Sequence, residues 1–190
     1  MTSLTLDTPP VAASVPPLAV AAGRNLIAAG SIFGLANVAE WAILSGTLPV
    51  HPALLGLTWP VAVIAFIVIL RRLRATGGAA TARAVGWSRA SILLQLGIAM
   101  ALAVASGVTG HWALMMWMSP IGLSVYAVGW LIASRRGGTL WMSGVGLGAA
   151  AAAGGVALLV GTPVQYLAYA MGLFAFVLVP GIVLALGRTR

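Results

Sequence analysis

From Asn25 onward the chain alternates long apolar runs with short polar breaks. The runs are roughly 20 residues long, the length a helix rising ~1.5 Å per residue needs to cross ~30 Å of hydrocarbon. Six are legible: Asn25 to Leu44, Pro52 to Leu70, Ser88 to Val108, Trp112 to Ala133, Leu140 to Val160 and Val164 to Leu186. Barrel strands alternate polar and apolar positions, so continuous apolar runs exclude a transmembrane barrel. The expected fold is an all-α integral membrane protein, a bundle of six transmembrane helices.

The breaks are short. The turns around Gly46 to His51, Thr109 to His111 and Gly161 to Pro163 leave no room for an inserted domain, and the longest connection runs from Arg71 to Trp87. Short connections force successive helices to lie antiparallel, so the six spans should form three hairpins. "HPALLGLTWP" at His51 and "HWALMMWMSP" at His111 match at His51/His111, Ala53/Ala113, Leu54/Leu114 and Pro60/Pro120, suggesting a same-orientation repeat of hairpins. In this composition such matches also arise without a repeat. Pro60, Pro120 and Pro180 each remove a backbone donor and free a carbonyl one turn earlier, so kinks are expected there, with neighbouring helices or water satisfying the carbonyls.

Composition agrees with the pattern: 61% hydrophobic residues, 6% charged and a mean hydropathy of +1.08 leave too little polar surface to coat a soluble globule. Charge adds direction. All ten basic residues are arginines: Arg24, Arg71, Arg72, Arg74, Arg83, Arg89, Arg135, Arg136, Arg188 and Arg190. They fall on the two tails and on the connections after the second and fourth spans, and the other three connections carry none. That distribution predicts both termini in the cytoplasm of a bacterial-type inner membrane, N-in and C-in, with the arginines against anionic lipid headgroups. The net charge of +8 therefore does not point to nucleic acid.

Residues 1 to 23 contain two Pro-Pro pairs and no basic residue, fit neither a signal peptide nor a helix, and are expected to form a flexible cytoplasmic tail before a single domain at 24 to 190. Without cysteine there are no disulfides, thiolate metal sites or cysteine nucleophiles. Small residues mark contact faces: Gly30 and Gly34 on the first span, Gly144, Gly148 and Ala152 on the fifth, and Ser119, Gly122, Tyr126, Gly129 and Ala133 on the fourth. Trp87, Trp112 and Trp141 read as interface anchors, and Trp59 and Trp117 as deeper core residues.

Only two residues are acidic, Asp7 and Glu40. Glu40, about 24 Å along the helix from Arg24, lies in the outer part of the hydrocarbon. Asn37 is on nearly the same face. A carboxyl there must be protonated, hydrogen-bonded or open to water. His51 and His111 open the second and fourth spans, and Gln165, Tyr166 and Tyr169 open the sixth, so a polar cluster of Asn37, Glu40, His51, His111, Gln165 and Tyr169 is the candidate site. The plainer account is interfacial polar residues that tie helices together.

Two chemistries compete at that level. Glu40 with the histidines would suit a proton-linked or small-solute permease, although the deeper spans offer a thin polar path, chiefly Gln95 and Tyr126. His111, Met115 and Met118 at helical spacing would suit a soft metal such as copper(I), and haem between His51 and His111 is a related option. Methionine is also an ordinary gap filler, and no cofactor is the default expectation. No paired carboxylates, Ser-His-Asp set or phosphate loop appears, so no catalytic residue is assigned and no enzyme activity is expected. The leading expectation is a non-catalytic accessory subunit that meets a membrane-protein partner, or a second copy, through its helix faces.

Overall fold

The computed structural model describes residues 18–136 and 139–187. They form α1 (Leu18–Leu44), α2 (Leu55–Thr76), α3 (Ala79–Thr109), α4 (Met118–Arg135), α5 (Leu140–Ala157) and a last span made of α6 (Val164–Leu173), a π-helical turn (Phe174–Leu178) and α7 (Val179–Ala185). Short 3-10 turns, Pro52–Leu54 and Trp112–Trp117, lead into α2 and α4. The described residues contain no strand, and six helices are long and apolar enough to cross a membrane.

Three boundaries correct the sequence reading. α1 begins at Leu18, so the last part of the expected tail is helix, and Ala21 and Gly23 are buried in it. Residues 1–17 lie outside the described ones. The expected long connection from Arg71 to Trp87 is helical except at Gly77 and Gly78, because the alanine-rich stretch after the glycines strongly favours helix. α3 thereby reaches 31 residues, about 46 Å, well beyond the ~30 Å of a bilayer core. The fourth span opens with 3-10 turns and becomes α-helical only at Met118, which places Pro120 in the first helical turn, where a missing N–H costs least.

The arginines gather at one end of the bundle. Gly77 and Gly78 join the arginine-bearing ends of α2 and α3, Asn25 Nδ2 of α1 donates to Ser88 Oγ of α3 at 3.2 Å, and the Arg136 guanidinium sits 5.7 Å from the Trp87 ring centroid. Every arginine in the described residues is exposed. Glu40, His51, His111 and Gln165 lie towards the opposite end.

Packing departs from simple hairpins. The most extensive pairings join α1 to the last span and α4 to α5, whereas α3 meets α4 only lightly. Leu123 and Ala127 of α4, Ala149, Ala153 and Val156 of α5, and Tyr169, Leu173 and Val177 of the last span form the buried core, which Ala29 of α1 and Phe66 and Leu70 of α2 extend. α1 reaches the last span through glycine. A Cβ on Gly23 would lie 2.6 Å from Gly181 O, one on Gly181 2.9 Å from Ile27 N, and one on Gly30 2.7 Å from Leu178 N. Gly34 faces the Phe174 ring. The Gly30 and Gly34 face is thus a packing seam.

The other two expected faces are rotated. On α5, Gly146 packs against Leu131 and Gly148 against Phe176, but Gly144 is open. On α4, Ser119 and Gly122 are buried while Gly129 and Ala133 are exposed, because Leu123, Ala127 and Trp130 turn inward instead. Larger side chains gain more contacts there than small ones.

Candidate functional site

One span proline has its freed carbonyl taken up by a distant side chain. Pro180 has no N–H for Phe176 O, and Trp130 Nε1 of α4 donates to that oxygen at 2.9 Å. The helix widens to its π turn over the same residues, a common response to a broken ladder. Gln165 Nε2 of α6 donates to Met116 O, in the 3-10 turn that leads to Pro120. Gln165 Oε1 accepts from Gly161 N at 3.2 Å. The fully buried Gln165 is therefore satisfied at both ends of its amide.

Asn37 and Glu40 differ. They stand three residues apart near the end of α1, 0% and 5% exposed. Asn37 Nδ2 donates to Phe33 O of its own helix at 2.7 Å, but Asn37 Oδ1 has no partner. Glu40 Oε2 has none either. The Trp59 indole of α2 is the hydrogen-bonding side chain facing the carboxyl, and Tyr166 of α6 lies within electrostatic range of it. Trp59 is held by stacking on Phe33, with ring centroids 5.8 Å apart, and Phe33 meets Phe66 edge-on at 5.2 Å. Glu40 thus sits where α1, α2 and α6 converge.

The rest of the expected cluster is dispersed. His51 is exposed and its Nδ1 accepts from Ala53 N at 3.2 Å, holding the turn into α2. His111 is exposed beside an apolar groove lined by Ala113, Leu114, Trp117 and Val160. Among the described residues no hydrogen bond joins either histidine to Glu40. Tyr169 is buried with its hydroxyl against Gly122. His51 O and His111 O accept from Leu54 N at 3.0 Å and Leu114 N at 3.1 Å, so the two matched stretches open on the same turn, but the first is α-helical from Leu55 and the second only from Met118.

Met115 and Met118 are half-buried. The 3-10 turn over Trp112–Trp117 has three residues per turn, so spacings of four and seven from His111 no longer share one face. The described residues contain no group of three His, Cys, Asp or Glu able to hold a metal ion. Trp59 and Trp117, expected in the core, are 38% and 43% exposed, each lying close to the start of its span.

Sequence reasoning placed Tyr166 at the level of Glu40 but missed Trp59 as the group facing the carboxyl, and Trp130 as the partner of the Pro180 turn. The last had a signal: a span proline demands a donor for the carbonyl four residues earlier. Six helices among the described residues are long and apolar enough to cross a membrane, the pattern that suggests a multi-pass membrane protein. Comparison with protein-family models, with curated proteins and with solved structures finds no match.

Proposed function

We propose that this is a multi-pass protein of a bacterial-type inner membrane, with both termini cytoplasmic, acting as a non-catalytic partner subunit through the outward face of α3. The observation that carries this reading is how little of α3 the bundle uses. Its buried residues are Ala80, Thr81, Ala84 and Ser106, so no position from Val85 to Ala105 is buried. That stretch, which touches the core only through Val85 and Ile92 at one side, is not a uniform lipid-facing surface. Gly86, Ala90, Gly97 and Ala101 are exposed at helical spacing, and nothing stands within 4 Å of a Cβ placed on Gly86 or Gly97. Lipid chains have no use for glycine, whereas another helix does, because small residues let backbones approach where lipid supplies no hydrophobic drive. The partner this favours is a transmembrane helix.

The exposed arginines at one end favour the proposed orientation and contact with anionic headgroups. A photo-crosslinking residue at Leu94 or Met100, in protein at native abundance in its own membranes, tests the reading. A discrete protein adduct is expected, and labelling of lipid alone would count against it. A permease built around Glu40 remains the second reading, favoured by the buried carboxyl. Solute uptake in Glu40→Gln at normal abundance separates the two, since a partner subunit keeps wild-type uptake.

A further inference from the structure

Two buried acceptors near the end of α1 have no donor. One of the two Asn37 amide N–H groups donates to Phe33 O, and the Trp59 indole is the side-chain donor facing the carboxyl. Two acceptors remain, Asn37 Oδ1 and Glu40 Oε2, on side chains 0% and 5% exposed. Residues three apart on a helix have Cβ atoms about 5–6 Å apart, within reach of an amide and a carboxyl that turn towards each other. A buried acceptor left unmade costs about 1–3 kcal/mol.

A metal ion would need more oxygen ligands than these two side chains provide. A proton needs only the two. We propose that Asn37 and Glu40 form an intramembrane proton-binding pair, in which the Glu40 carboxyl carries the proton on Oε2 and donates it to Asn37 Oδ1. One proton then satisfies both oxygens, and no counter-charge is required. This inference is independent of any partner on α3.

The surroundings fit a neutral site. Tyr166 and Tyr169 on α6, with His51 and His111 in the turns before α2 and α4, are the titratable side chains towards this end of the bundle. α3 carries none from Ser91 to Thr109, and neither does the last span beyond Tyr169 as far as Ala185. The arginine on α1 itself, Arg24, stands at the other end of that helix, about 24 Å from the level of Glu40.

Infrared spectroscopy of the full chain in lipid vesicles reads the proton directly, because Asp7 is the only other acidic residue. In an Asp7→Asn background at pH 7 the carbonyl stretch of a protonated, hydrogen-bonded carboxyl is expected. It should vanish in Glu40→Gln and move to higher frequency in Asn37→Leu. No protonated-carboxyl band at pH 7 would overturn the proposal, and so would a band that Asn37→Leu leaves in place or that Tyr166→Phe moves instead. Should Asn37→Leu fail to fold, the band position in the unsubstituted pair still decides, since the higher frequency of a free carboxyl would overturn the bond to Asn37.

Discussion

Gln165 of α6 donates through Nε2 to Met116 O, in the 3-10 turn that leads to Pro120 of α4. The relation is reciprocated. Trp130 of α4 donates to Phe176 O, the carbonyl that Pro180 of the last span leaves open. Each of the two spans thus donates one side-chain bond to the other's backbone, near opposite ends of their contact.

Removing either donor should loosen this pair. A buried acceptor left unmade costs about 1–3 kcal/mol in water-soluble proteins, but interhelical hydrogen bonds in membranes average ~0.6 and reach ~1.7. The membrane figures govern here, so Gln165→Leu and Trp130→Phe should each destabilise by about 1 kcal/mol. Thermal unfolding in mild detergent reads this as a drop of a few degrees. Because the two bonds join the same spans, the double variant should depart from additivity.

Glycines on the two kinds of face should respond oppositely. Gly30→Ala drives a methyl to 2.7 Å from Leu178 N, a backbone atom that cannot step aside, and should cost about 1–3 kcal/mol. Gly97→Ala meets nothing within 4 Å and should be neutral or stabilising by up to about 1 kcal/mol, because alanine is the better helix former. If α3 carries the partner, Gly97→Leu should preserve the unfolding temperature while weakening co-purification of that partner from native membranes.

Orientation is open to a simple test. Reporter fusions after Ser45, Thr109 and Gly161 should all report the outer side. A cytoplasmic signal at any of them would break the proposed arrangement, because the arginine-bearing turns then could not all share the inner face.

The arginine end should prefer anionic lipid. Mass spectrometry of protein from gentle extraction should find anionic phospholipid retained over zwitterionic, and replacing Arg71, Arg74 and Arg83 together by Gln should reduce that retention. Each basic residue near a charged surface contributes about 1 kcal/mol, so raised salt should weaken the preference. Retention unchanged by both would remove the headgroup contact from the account.

The six long apolar helices were legible from one dimension of information, because a helix able to cross lipid must satisfy its own backbone and therefore shows its length as an uninterrupted apolar run. The Gly30 and Gly34 seam was legible too, since only small residues admit a second backbone. By itself the sequence determined the all-helical class, the span count and the segregation of arginine to particular connections. The tertiary structure decided which helices pair, which face of α4 and α5 turns inward, and what surrounds Glu40. Those depend on side chains distant in the chain. Trp59 lies 19 residues from Glu40 and Gln165 lies 49 from Met116, separations that no periodicity encodes. The expected cluster dispersed for the same reason. His51, His111, Gln165 and Glu40 share a level because each stands near a helix end, but side-chain direction around each helix, set by packing, separates a satisfied Gln165 from an unsatisfied Asn37 and Glu40.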